Sequence, residues 1–86
     1  MKTWSVYILR CSDNTLYTGI TNNLGKRIES HSSGQGSKYT RSRLPVELVY
    51  QEQAENRSEA TRRELEIKGL SRGDKMKIIG YRKIYG

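Results

Sequence analysis

Phenylalanine is missing from this 86-residue chain, and tryptophan, cysteine and proline occur once each. With so few large aromatics, any interior must be assembled from Val, Ile, Leu and Tyr. The lone cysteine, Cys11, can close no internal disulfide and has no partners at zinc-ligand spacing, so it is expected as a core residue inside an apolar run. No stretch reaches the about 20 apolar residues of a membrane span, and the N-terminus lacks the basic, apolar, small-residue order of a signal peptide. A soluble, cytoplasmic protein with no membrane partner is expected. Acidic residues are also scarce: 9 Asp and Glu stand against 16 Lys and Arg, leaving a formal charge of +7.

Such an excess on a small body favours polyanionic partners, through phosphate contacts and counterion release. It is clustered, at Lys38, Arg41 and Arg43 and again along Lys68, Arg72, Lys75, Lys77, Arg82 and Lys83. Charge alone is a weak guide, because many small basic domains are merely soluble. The length supports one domain with one modest core, residues 1–86, leaving no room for a separate recognition module.

Trp4 to Cys11 is nearly unbroken apolar sequence, as expected of a central strand covered on both faces. Leu16 to Thr21 reads as a second strand, joined to the first through the turn-formers Ser12 to Thr15. Pro45 precedes a third strand, Val46 to Tyr50 or slightly beyond. Asn22 or Asn23 can cap a first helix that carries Leu24 and Ile28 one turn apart and runs to about Ser33, with Gly34 as its stop. Asn56 with Glu59 forms a capping-box pattern for a second helix bearing Ala60, Ile67 and Leu70 and ending near Gly69. Ser71 with Asp74 opens a third helix bearing Met76 and Ile79. Ser32 to Arg43, rich in Ser, Gly and cations without apolar periodicity, is expected to be a mobile loop. Its Gly34-Gln35-Gly36 is a poor phosphate loop, because it follows a helix instead of opening one. The expected fold class is α+β: a small three-stranded antiparallel sheet flanked by three helices, in the order β-β-α-β-α-α. The core covers about residues 3–70, with a C-terminal basic helix and tail over 71–86.

Several polar residues fall where apolar ones belong. At about 100° per residue, Arg27 and His31 border the Leu24–Ile28 stripe of the first helix. Glu64 lies about 40° from Ala60 and 60° from Ile67, whereas Glu59 and Glu66 point away. Glu64 is therefore the one acid of its helix turned toward the sheet, where it must find a partner or pay a desolvation cost. A plain Arg27–Glu64 salt bridge between helices would satisfy both, and His31 and the strand tyrosines have equally ordinary packing explanations.

Taken together, Ser5-Val6-Tyr7, Tyr17-Thr18-Gly19, Arg27, His31, Tyr39 and Glu64 resemble, in order and spacing, the GIY-YIG nuclease domain family and its small stand-alone bacterial members. The first triad departs from the pattern at Ser5 and Val6, and the second at Thr18; both tyrosines and Gly19 are present. The resemblance implies a GIY-YIG endonuclease-like fold and hydrolysis of phosphodiester bonds in nucleic acid with one divalent metal ion, Mg²⁺ or Mn²⁺, on Glu64. DNA is favoured over RNA, with repair or recombination as the setting. It implies that Arg27 stabilises charge on the phosphoryl oxygens and that Tyr7, Tyr17 or His31 takes the proton of the attacking water, with the choice among them open. Tyr39 would bond or stack beside the scissile phosphate, while Lys38, Arg41 and Arg43 grip flanking phosphates. A separate protein partner could supply specificity. The alternative is a nucleic-acid-binding module that keeps the fold without turnover. A shared pocket requires Tyr7 and Tyr17 on one sheet face, which favours a three-residue hairpin loop, Asp13-Asn14-Thr15, over a two-residue turn.

Overall fold

The computed structural model describes residues 3–85, and side chains through Gly80. Its elements are β1 (Trp4–Arg10), β2 (Leu16–Thr21), α1 (Leu24–Ser32), α2 (Lys38–Arg41), β3 (Glu47–Ala54), α3 (Arg57–Lys68) and α4 (Arg72–Tyr85). The three strands form one antiparallel sheet in the order β2-β1-β3, so the most apolar segment is the central strand.

Strand β1 is buried on both sides, as its composition requires. Val6 and Ile8 join Ala54, Ala60, Ile67 and Ile79 in the main apolar cluster, which ties the sheet to α3 and α4. Tyr7 and Leu9, also fully buried, project from the opposite face. Tyr7 pairs with Gly19 and Leu9 with Tyr17, so both tyrosines share that second face. The hairpin loop has the expected length but lies one residue earlier, at Ser12-Asp13-Asn14: Cys11 N–H bonds the Thr15 carbonyl, and Asn14 N–H bonds that of Cys11. The reason is Asn14, whose φ of 69° occupies the left-handed position that closes this type of turn.

Two further expectations are corrected. The third strand starts at Glu47 and extends to Ala54, because Trp4 through Ser5 at the start of β1 leave ladder positions that Ala54 and Gln53 fill. A bulge between Ile8 and Leu9 re-registers the pair, since Ile8 faces Tyr50 but Leu9 faces Leu48. Ser32 to Arg43 is not a structureless loop. It contains the single-turn helix α2, whose N-cap Ser37 accepts from Thr40 N–H and whose Thr40 is fully buried. The other caps follow the sequence: Asn23 accepts from Lys26 N–H, Asn56 from Glu59 N–H and Ser71 from Asp74 N–H.

Candidate active site

Gly19 creates the space in which the site is built. A Cβ there would lie 2.5 Å from the Tyr7 hydroxyl oxygen and 2.7 Å from Tyr7 Cζ, so only glycine lets the phenol ring lie across β2. The ring of Tyr17 sits 6.4 Å from that of Tyr7, centroid to centroid. From α1, the fully buried His31 places Nε2 3.0 Å from the Tyr7 hydroxyl. Arg27, one turn earlier on the same helix, donates from Nε to the same oxygen at 3.4 Å. Helix spacing thus brings a cation and an imidazole onto one phenol.

The imidazole is held from behind. His31 Nδ1 is 2.8 Å from Thr40 Oγ1, and that hydroxyl also contacts the Ser37 carbonyl at 3.3 Å. Ser37 Oγ is a further neighbour at 3.1 Å, so the one Thr40 proton has three acceptors within reach and both imidazole tautomers fit these contacts. In the tautomer with the hydrogen on Nδ1, Thr40 Oγ1 accepts it and Nε2 accepts from Tyr7 O–H. The backbone at Gly36 runs so close over the imidazole that a Cβ would overlap Nδ1. Burial raises the Tyr7 pKa above its usual 10.0, partly offset by the hydrogen bond from Arg27. Burial first, and then the Arg27 charge, lower that of His31 below 6.5, so the imidazole is neutral at pH 7. The Arg27 guanidinium is itself held charged, chiefly by its bond to Tyr7.

Tyr17 packs edge-on against His31, with centroids 5.2 Å apart, and stacks on Tyr39 of α2 at 6.0 Å and 29°. The guanidinium of Arg43 lies 3.9 Å from the Tyr39 ring centroid. Arg43 also donates to Asp13 Oδ2 at 2.9 Å and to the Tyr39 carbonyl at 3.0 Å, tying α2 to the hairpin. Lys38 and Arg41 are exposed on α2 and make no ion pair among the described residues. The structure therefore brings Tyr7, Tyr17, Arg27, His31 and Tyr39 together and leaves Lys38 and Arg41 projecting from the rim. It engages Arg43 in internal contacts.

Glu64 approaches from α3. Its side chain is only 18% exposed, as the helical wheel suggested, and its charge acts on the Tyr7 hydroxyl. The Arg27–Glu64 salt bridge does not form; Glu64 pairs with Lys68 at 3.4 Å, one turn along its own helix. No group of three or more His, Cys, Asp or Glu converges among the described residues. That donor set fits a hard, hydrated ion that takes one protein carboxylate and fills its other positions with water and substrate oxygens. Sequence reasoning missed Ser37, Thr40 and Gly36. The cue for them was local, a serine cap pattern three residues ahead of Thr40.

A buried phenol bonded by a guanidinium and an imidazole, with a mostly buried carboxylate on α3, is thus carried on a three-stranded sheet. Residues 3–78 match the GIY-YIG catalytic domain, a nuclease family, and the chain belongs to it. It is 57% identical over 74 residues to the UPF0213 protein SH2523 of Staphylococcus haemolyticus, covering 86% of this chain and 90% of that one. Two solution NMR structures are similar. The UPF0213 protein BH0048 of Bacillus halodurans has 44% identity and a TM-score of 0.59, covering 90% of this chain and 82% of its own. The protein EF2693 of E. faecalis has 34% identity and a TM-score of 0.64, covering 100% and 95%. None of the described helices is long and apolar enough to cross a membrane.

Proposed function

We propose that this single domain is a metal-dependent endonuclease that hydrolyses phosphodiester bonds in nucleic acid, with DNA as the polymer and repair or recombination in the cytoplasm as the setting. The observation that carries the reading is the Tyr7 hydroxyl, held between His31 Nε2 at 3.0 Å and Arg27 Nε at 3.4 Å within the field of the Glu64 charge.

With the Tyr7 hydroxyl proton on the His31 side, its oxygen accepts from Arg27, and because the ring is fully buried the attacking water reaches that oxygen only as Arg27 turns to the phosphate. A water attacking phosphorus gives its proton to Tyr7 Oη as the Tyr7 proton passes to Nε2. The phenol never has to exist as a free phenolate, which its raised pKa makes costly near neutral pH. The step uses the tautomer in which Nδ1–H donates to Thr40 and Nε2 is free to accept. Arg27 places a permanent charge against the phosphoryl oxygens as the pentacoordinate state forms, and the ester bond to the departing oxygen then breaks. A divalent ion, Mg²⁺ or Mn²⁺, held by Glu64 and a substrate oxygen would add positive charge at the same phosphoryl group. Lys38 and Arg41 reach flanking phosphates, whereas Arg43 and Tyr39 act mainly by holding Tyr17 and α2 in place.

The test is cleavage of flapped, branched and single-stranded DNA with Mg²⁺, Mn²⁺ or EDTA. Wild-type protein cuts only with metal, while Glu64→Ala and Arg27→Ala abolish cutting with an unchanged circular dichroism spectrum. For Arg27 the expected loss is about 10³-fold. Salt-sensitive binding without cleavage of any of these substrates would replace the enzyme with a non-catalytic binding module.

A further inference from the structure

A cleft of about 330 Å³ opens beside the catalytic cluster, lined by Trp4, Ile20, Thr21, Asn22, Arg27 and Arg57. We infer that this cleft is a subsite for the nucleotide adjoining the scissile phosphate, with its base against the Trp4 indole and its phosphate against Arg57. The inference rests on the nuclease reading above and adds to it the part of the substrate held away from the reacting bond.

Position is the first reason. Arg27 lines the cleft and also donates to Tyr7, so an occupant is contiguous with the reacting phosphate. Charge is the second. The six lining residues include two guanidiniums and no carboxylate. A second cleft, of about 180 Å³ between β3 and α3, presents Glu52, Glu55, Glu59 and Glu66 against Arg62 and Arg63, and Arg63 is already bonded to Glu52 at 2.7 Å. A phosphate is attracted to the first cleft and repelled by the second.

The third reason is the aromatic wall. Trp4 is anchored by packing against the apolar cluster yet remains partly open. Arg57, the first residue of α3, is exposed and makes no ion pair among the described residues. Its guanidinium lies 5.9 Å from the indole centroid, against 3.9 Å for the tight Arg43–Tyr39 stack. The looser pair needs only a small swing of an unrestrained side chain to admit a planar base between cation and ring. An indole facing a mobile cation recognises any base by its π-face and its phosphate by charge, so the subsite positions the strand without reading its sequence.

Trp4 is the chain's single tryptophan, which makes its emission a direct reporter. A Glu64→Gln variant, used to prevent turnover, is titrated with a single-stranded thymidine oligonucleotide and with the same strand carrying one abasic site at each position in turn. Binding is followed independently by the anisotropy of labelled oligonucleotide. The expected result is quenched emission on binding. One abasic position restores emission and weakens affinity roughly 10-fold, and Arg57→Ala weakens binding of the intact strand several-fold. Trp4→Leu should give no further loss with that abasic strand; the abasic arm guards against a Trp4 variant that merely folds poorly. Binding by anisotropy with unchanged emission and no sensitive abasic position overturns the subsite and leaves the nuclease reading intact. No binding by anisotropy, together with no cleavage by wild-type protein, removes both.

Discussion

Replacing Gly19 by alanine should disable the site while leaving the fold standing. Gly19 does not sit in the left-handed region, so alanine brings no backbone strain; the whole effect comes from one methyl group. That methyl would lie 2.5 Å from the Tyr7 oxygen and 2.7 Å from Cζ, so the ring must retreat by about 1 Å to regain ordinary contact. Tyr7 is fully buried against His31 and Tyr17 and has no space to retreat into. Overpacking of this kind costs about 1–3 kcal/mol. In a domain this small, each 1 kcal/mol lowers the unfolding midpoint by about 4–8 °C. The same retreat breaks the 3.0 Å bond to His31, and a misplacement of about 1 Å at a reacting group can cost about 10²-fold in rate. The assay is a double-mutant cycle by thermal denaturation, with cleavage measured in parallel. In a Tyr7→Leu background both ring contacts are gone, so Gly19→Ala should cost less there, by a coupling of about 0.5–3 kcal/mol. Equal costs in both backgrounds, or a Gly19→Ala protein as stable and active as wild type, would refute the picture of a phenol wedged over a glycine.

The remaining expectations concern protonation, the support behind the imidazole and the basic rim. Because the folded His31 has a depressed pKa, the unfolded chain binds more protons below about pH 6.5, so this residue's share of stability is present above 6.5 and lost as the pH falls through the folded pKa. His31→Gln should flatten that slope in melts across acidic pH, and the acid limb of cleavage should lie below pH 6.5; a limb above it would exclude His31 as the proton acceptor. Thr40→Val should leave Nδ1–H without a partner at a cost of about 1–3 kcal/mol and reduce cleavage, with Thr40→Ser restoring both; an unaffected Thr40→Val protein would show that the tautomer is set elsewhere. Arg43→Ala should destabilise by about 1 kcal/mol through loss of its aromatic and Asp13 contacts. Lys38→Ala and Arg41→Ala should leave the melt unchanged and each flatten the salt dependence of duplex binding by about 0.9 in log–log slope. Three indistinguishable variants would contradict this division of roles.

Much of the architecture was legible because it rests on short-range patterning. The apolar run of β1 announced a strand covered on both sides, and Asn23, Asn56 and Ser71 cap the helices that their spacing indicated. The wheel turned Glu64 inward correctly, since a helix fixes angular position whatever it packs against. Where local rules compete, the reading slipped. The expected hairpin loop has the right length but is displaced by one residue, because four consecutive turn-formers each suit it and only Asn14 takes the left-handed position. Helix α2 escaped notice because a single turn shows no periodicity and buries a threonine instead of an apolar residue.

From the order of its side chains alone, this chain dictates a buried central strand, a hairpin after it and a helix that presents Arg27 and His31 on one side, since each depends on neighbours a few residues apart. The partners those groups choose were decided only by folding. Thr40 behind His31, Lys68 in place of Arg27 beside Glu64, and Arg43 on Tyr39 in place of a phosphate all depend on which polar groups the packed backbone brings within hydrogen-bonding reach. Burial then makes each choice consequential, because a polar group shut away from water must find its partner inside the protein.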